Sequence, residues 1–396
     1  MSFQRYLLVL ALLCPNILYA ADLFTTSPPA HSDALHAEQD SQLKRLRGQR
    51  NTLTAASVGV NVSVLNGEPV MIDLPTARQL KATVKKIDRR GPRDFTWYGE
   101  LTSTPGNATL VVRGNKVTGT IRNGSDLYRI VSIGDGAHAL VQIDERAFPA
   151  DHPEQLNDAG DVPPLARAAA GADAGTVIDV LVAYTAAAEN KAGDIQGLIQ
   201  LAVDETNMAY ENSVVHPRIR LVHTHKTSYK EGKKSYDTIM NHLVSTTDDK
   251  LQEIHGLRDQ YGADMVVFII DQGDYCGMAD TIMANQTSAF ALVHWDCATG
   301  YYSFAHELAH LQGARHDPAT DSTTNPFAYG HGHRHKQKWR TVMAYDCSNG
   351  CPRLPYFSNP NVLYQGIPMG TTAKSNNARV LNETAATVSI FRPTAP

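Results

Sequence analysis

Residues 306–317 read HELAHLQGARHD, with histidines at 306, 310 and 316. At about 3.6 residues per turn, His306 and His310 stand one above the other on one helix face. Two imidazoles so placed can grip one metal ion, and Glu307 points along the edge of the same site. His316 lies six residues beyond His310, on the far side of a continued helix. Gly313 removes that difficulty, because glycine tolerates the left-handed conformation that ends a helix. If the helix stops at Gln312 and the chain turns at Gly313, Ala314 and Arg315 swing His316 back toward the other two. Three neutral imidazoles with one open position form the ligand set of a catalytic zinc (Zn2+) site. Glu307 is then the general base for an attacking water. An ordinary amphipathic helix with surface histidines gives no reason for Gly313 and His316 to fall where they do.

The chain has 396 residues, enough for two or more domains with a sizeable core. A net charge of −4 with 19% charged residues leaves no electrostatic footprint for nucleic acid or an anionic membrane. The N-terminus, MSFQRYLLVLALLCPNILYAADL, reads as a secretory signal over 1–20. Arg5 supplies the positive start, Tyr6 to Leu13 the apolar run, and Tyr19-Ala20-Ala21 the small residues for cleavage. The run is too short to span a bilayer, and the bulky Leu13 argues against lipidation at Cys14. A secreted protein, extracellular or periplasmic, is therefore expected. Signal removal leaves Cys276, Cys297, Cys347 and Cys351. In an oxidising compartment these suggest two disulfides. Three pairings are possible, of which Cys276–Cys297 with Cys347–Cys351 is the most local.

Residues 21–149 form the front region. A helix is expected around Asp33 to Arg47, followed by strands from about 55 to 148. TLVVRGNKVTGTIRNGSDLYRIVSI alternates apolar and polar residues, with hairpin signals at Gly114-Asn115 and Asn123-Gly124. Residues 150–175 have a linker composition of Pro, Asp, Ala and Gly, open to proteolysis. From 176 to 396 the texture changes. VIDVLVAYT (177–185), RIRLVHTH (218–225), MVVFII (265–270) and SAFALVHW (288–295) read as strands. Helices are expected over 192–212, about 235–260, the HELAH segment, and 375–392. Strands alternating with helices predict an α/β sandwich around a mostly parallel sheet.

TVMAYDC (341–347) places Met343 27 residues after His316, where it would form a turn beneath the imidazoles. The phenol of Tyr345, two residues on, could swing to the metal. Taken together, HELAHLQGARHDP, WRTVMAYDC and CPRLPYFSNP resemble the metzincins, and more narrowly the bacterial peptidyl-Asp metallopeptidases of the Asp-N type. The resemblance covers about 176–396 and implies a metzincin-type catalytic domain with a twisted, mostly parallel sheet. It implies zinc on His306, His310 and His316, Glu307 as general base, Met343 as the Met-turn residue, Tyr345 as an oxyanion donor, and a structural role for Asp317. The front region looks like a β-rich propeptide by position and texture.

The resemblance also implies cleavage on the amino side of Asp, less often Glu. In metzincins the segment after the Met-turn walls the pocket for the residue that follows the scissile bond. Here that segment is DCSNGCPRLPYFSNP, and Arg353 is its one basic residue. A guanidinium can take a carboxylate through two parallel hydrogen bonds, with Arg340 and Arg315 as the next candidates. Between the signal and residue 175 there is no cysteine, so an inhibitory propeptide must work by another group, an aspartate for instance, or by occlusion. Self-cleavage before Asp158, Asp161 or Asp173 would fit. HGHRHKQK (331–338) reads as a solvated basic loop rather than a second metal site. Asp271 and Asp274 are candidate calcium (Ca2+) ligands, but a loop after a strand explains them as well. The expected partners are peptide substrates and the chain's own propeptide, and the expected state is a monomer. The alternatives are a metzincin of different specificity, a zinc hydrolase of a non-peptide bond, and a non-catalytic metal binder of the same fold. Retention of Glu307 argues against the last.

Overall fold

Alternating strand sequences can bury two chemically different faces, and the front region does so. A computed structural model describes residues 20–26, 32–75, 79–152, 157–158 and 175–395. Residues 1–19 of the expected signal, most of the linker, and Asp161 and Asp173 lie outside the described residues. Strands Leu80–Gly91, Asp94–Leu101, Gly106–Arg113, Lys116–Asn123, Asp126–Gly134 and Ala137–Ile143 form an antiparallel meander, and Thr52–Val60 pairs with the last of them. They belong to a ten-stranded sheet. Gly114 holds the left-handed turn at φ 67°, as expected. In the next turn the left-handed residue is Gly124 at φ 61°, and Asn123 still pairs with Asp126, so this turn lies one residue later than the sequence suggested.

One face of the sheet packs Trp97, Leu110, Val112, Val117, Ile121, Tyr128, Ile130 and Leu140 into an apolar core. The alternate residues Thr96, Thr118, Thr120, Arg122 and Arg129 are buried as well. They meet the second half of the chain. Helix Asp33–Arg47 covers the sheet through Leu43 and Leu46. These belong to one apolar cluster with Phe148, Cys276, Cys297 and Tyr301, which straddles both halves.

The second half is a mixed α/β unit. Its five-stranded sheet runs Arg218–Lys226, Val177–Tyr184, Met265–Ile270, Phe290–His294, then Gly277–Ala279. The first four are parallel, and the last is an antiparallel edge. Such strands are covered on both faces and read as apolar runs. Val180, Val182, Val267, Ile269, Ala291 and Val293 face the side of helices Ile195–Asn212, Ser303–Leu311 and Asn377–Val388. Leu181, Val266, Phe268, Ile270, Phe290 and Leu292 face Tyr236–Val244 and Gln252–Gln260.

The single helix expected over 235–260 is thus two. Polar side chains between them bind the backbone in competition with helical bonds. Ser245 Oγ accepts from the Asp248 amide at 3.1 Å, and Asp248 Oδ1 from the Lys250 amide at 3.1 Å. The edge strand was not foreseen, since three residues carry no period. The most local disulfide pairing is the one present, Cys276–Cys297 and Cys347–Cys351. Among the described residues no helix is long and apolar enough to cross a membrane.

Candidate active site

The helix Ser303–Leu311 ends where Gly313 takes φ 99°, and the chain doubles back as the sequence required. The three Nε2 atoms then converge, with His306 to His310 at 3.0 Å, His306 to His316 at 3.1 Å and His310 to His316 at 2.9 Å. Tetrahedral ligands about 2.0–2.1 Å from zinc lie about 3.3–3.4 Å apart, so this triangle is of the right size and only a few tenths tight. The tautomers fit too. His306 Nδ1 lies 2.9 Å from the Val342 carbonyl, and His310 Nδ1 lies 2.8 Å from the Ala314 carbonyl. Each Nδ1 therefore donates, leaving an Nε2 lone pair aimed at the centre. Burial and the neighbouring imidazoles hold His306 and His310 well below the usual range, hence neutral. Lone pairs facing one another in a buried site repel unless a cation lies between them.

Val342 belongs to a turn closed by the Ala344 amide on the Thr341 carbonyl at 3.0 Å. Met343 within it is fully buried in the core under the helix. Asp317 is structural. It accepts from the Tyr345 amide at 3.1 Å and the Thr320 hydroxyl at 3.0 Å, and pairs with Arg334 at 2.5 Å. This pins the turn to the residue that follows the third histidine. The Tyr345 ring lies 4.4 Å from that of His316, and its phenol donates to the His152 carbonyl at 2.5 Å. His331, in the supposed basic loop, is instead buried, with Nδ1 2.9 Å from the His316 carbonyl. Asp271 accepts from the Trp295 indole at 2.7 Å. Neither it nor Asp274 falls in a metal-competent group among the described residues. One such group is the three histidines. The other is Asp346 with the disulfide-bonded Cys347 and Cys351.

Glu307 is buried beside the edge strand. Burial pushes its carboxyl well above the ordinary range and Asp151 adds to the rise, while Arg353 and the Ala279 backbone oppose it. The strand can come this close because residue 277 is glycine. A Cβ there would lie 2.3 Å from Glu307 Oε1.

The three arginines singled out by the sequence fare differently. Arg315 is spoken for within its own loop by Asp321 at 2.8 Å. Arg340 and Arg353 lie on bridged segments, 1% and 0% exposed, and both meet the ring of Tyr301. Their guanidinium carbons are 5.1 Å and 4.4 Å from its ring centre. Arg340 donates to the Tyr301 hydroxyl at 2.9 Å and the Ala344 carbonyl at 2.7 Å, and Arg353 to the Tyr301 carbonyl at 3.0 Å. Arg353 Nη2 also bonds the carboxylate of Asp151, itself 6% exposed. Arg353 is therefore no surface arginine. It is a buried cation whose acid comes from the start of the linker, just after the front region. Sequence reasoning missed Gly277, Tyr301 and Asp151. The first two carry no motif, and Asp151 opens a segment of linker composition.

Fold and site together define a metallopeptidase. Residues 174–358 match the model of metallo-peptidase family M12. The chain is 40% identical over 392 residues to the peptidyl-Asp metalloendopeptidase of Xanthomonas campestris pv. campestris, covering 93% of this chain and 94% of that protein. A peptidyl-Asp metalloendopeptidase of Stenotrophomonas maltophilia is 39% identical over 411 residues, covering 97% of each. A second strain of that species has one at 38% over the same length and coverage. The chain belongs to the peptidyl-Asp metalloendopeptidase family.

Proposed function

We propose that the chain is a secreted zinc endopeptidase that cuts on the amino side of Asp, and less often Glu. In this reading residues 176–396 are a metzincin-type catalytic domain and 21–149 an inhibitory propeptide. Residues 1–20 are a signal, and 150–175 carry the activating cut. One observation supports the specificity above all others, a fully buried Arg353 holding an aspartate carboxylate beside Glu307 and the three imidazoles.

His306, His310 and His316 would hold the metal, and three imidazole ligands suit zinc. Bound there, zinc supplies a water with its pKa lowered to about 7 and an electrophile for the carbonyl. Glu307 takes the proton of the attacking water and later hands it to the leaving amine. Burial raises its carboxyl, which makes its carboxylate a stronger proton acceptor than an exposed one. The Tyr345 hydroxyl donates to the oxygen that becomes negative as the carbonyl is attacked. Its bond to the His152 carbonyl is a contact of the same chemical kind. Arg353, stacked on Tyr301 and flanked by Arg340, takes the side-chain carboxylate of the residue after the scissile bond.

The test is a digest of a denatured proteome by the protease matured from this chain, with and without a chelator. Most new N-termini should begin with Asp, and the chelator should abolish them. Cuts without preference for an acid, or cuts indifferent to the chelator, would refute the proposal.

A further inference from the structure

We propose that Asp151 is a tethered competitor, filling the acid pocket of the enzyme with the chain's own aspartate and so keeping the protein latent. This rests on the reading of Arg353 as the residue that takes the substrate's acid.

The end of the front region does not cross the cleft loosely. Phe148 lies 4.4 Å from Tyr301, ring to ring. The Ala150 carbonyl accepts from the Cys276 amide at 3.0 Å, at the start of the edge strand. Asp151 bonds Arg353. The His152 carbonyl accepts from Tyr345, and its ring meets that of Tyr275 at 4.7 Å. Four residues in a stretch of five thus touch the parts of the cleft that would handle a substrate: the strand edge, the acid site and the oxyanion donor. Asn157 and Asp158 then pair in parallel with Thr281 and Ile282.

Charge explains why an aspartate belongs at 151. Arg340 and Arg353 are like charges buried on one aromatic ring, a costly arrangement without a counter-ion. Asp346 lies 3.5 Å from Arg340 but is itself only part-buried. Asp151 supplies the carboxylate inside. It does so at one point of contact. Arg353 Nε and Asp151 Oδ1 are both buried and have no hydrogen-bond partner among the described residues. A substrate acid not tied to a folded domain is free to turn and use both donors of the fork. The plug therefore has the recognised group without the full geometry, so it can be displaced. Nor does it act from the metal cluster, where the grouped ligand atoms are those of the three histidines. The Ala150 carbonyl, which belongs to the bond just before Asp151, is engaged by the Cys276 amide.

The experiment uses the full chain with Asp151→Ala and Asp151→Glu, each in the active protein and in a Glu307→Gln background that cannot process itself. In the active protein, Asp151→Ala should shorten the time to self-processing at least about tenfold, and Asp151→Glu should stay closer to the parent. In the Glu307→Gln background, exchange of the Cys276 amide should quicken at least about tenfold with Asp151→Ala, a readout independent of activity. Equal latency and equal exchange would overturn the proposal while leaving cleavage before Asp intact. If Asp151→Ala does not fold, Asp151→Asn carries the test: it keeps the shape and removes the charge, so it should also shorten latency and quicken exchange, and unchanged latency and exchange in it would overturn the proposal. Early processing in Asp151→Ala, combined with undiminished Asp preference in Arg353→Leu, would show a latch outside the specificity pocket and would also overturn it.

Discussion

The three-histidine cluster and the buried site around Arg353, the proposed acid pocket, lie side by side, yet they are built in opposite ways. The cluster comes from one stretch, His306 to His316, with a helix, a glycine turn and a return. Its outer supports, the Val342 and Ala314 carbonyls, fix tautomers that local geometry had already aimed. The pocket draws Tyr301, Arg340 and Arg353 from separate segments and takes its counter-charge from Asp151, at the start of the linker. On the proposed reading, chemistry is encoded locally and selectivity by the tertiary fold. Damage to the first should remove the rate, and damage to the second should redistribute it.

The largest expected effect is on the local side. Glu307→Gln keeps the three imidazoles and should keep the metal, but should lose about a hundredfold or more in kcat, the usual scale for a general base. Metal content by atomic absorption beside peptide-cleavage rates checks both halves. Loss of metal in this variant would mean that the cluster is less self-sufficient than its geometry implies.

A smaller effect is expected where the two regions touch. Gly277→Ala puts a Cβ where Glu307 Oε1 and Cγ now lie, at 2.3 Å and 2.7 Å. The carboxylate must move while metal and pocket stay. kcat should fall by about tenfold with little change in KM, since small misplacements of a catalytic group are costly. A matching rise in KM would mean that the edge strand itself had shifted.

The gentlest effect concerns the docking of the front sheet that delivers Asp151. Glu205, on the helix Ile195–Asn212, is buried against it. It accepts from the Thr120 hydroxyl at 2.5 Å and the Gly300 amide at 2.8 Å. Burial nonetheless pushes its carboxyl from 4.5 up to about 7, against the pull of Arg129 and Arg122. The docked form therefore keeps a proton that the exposed carboxyl would release. Its neutral form is tolerated below about pH 4.5 in both states, and stability is lost as pH rises from there through about 7. Between pH 5 and 8, chemical denaturation of the full chain should show a loss on the order of 1–3 kcal/mol that Glu205→Gln lacks. Identical pH profiles for the two chains would refute this.

What the sequence revealed follows the same division. The convergence of the three imidazoles was legible because helix spacing and one glycine decide it, and the buried turn at Met343 was legible through its motif. The strands of the second half were legible because burial on both faces leaves uninterrupted apolar runs such as MVVFII. Arg353 was reached through family resemblance and its solitary charge, and its burial against Tyr301 became visible only in the fold. Asp151 was hidden because a residue that docks on another domain needs no periodicity of its own. Gly277 was hidden because its role is an absence of atoms. Alternation revealed the front sheet but not that its polar face is also buried, since Thr96 and Arg129 look like solvent residues until Asp204 and Asp296 meet them.

Arg353, proposed as the residue that makes the endopeptidase prefer acids, is tested most directly by a cleavage map. The protease matured from the parent chain and the one carrying Arg353→Leu digest the same denatured proteome, and the new N-termini are counted. Cuts before Asp should fall by at least about tenfold relative to cuts before apolar residues, with total metal content unchanged, because a lost buried charge-assisted bond is worth about 1.5–3 kcal/mol. An Arg353→Leu protease that folds, binds metal and still cuts before Asp in the parent proportion would contradict it.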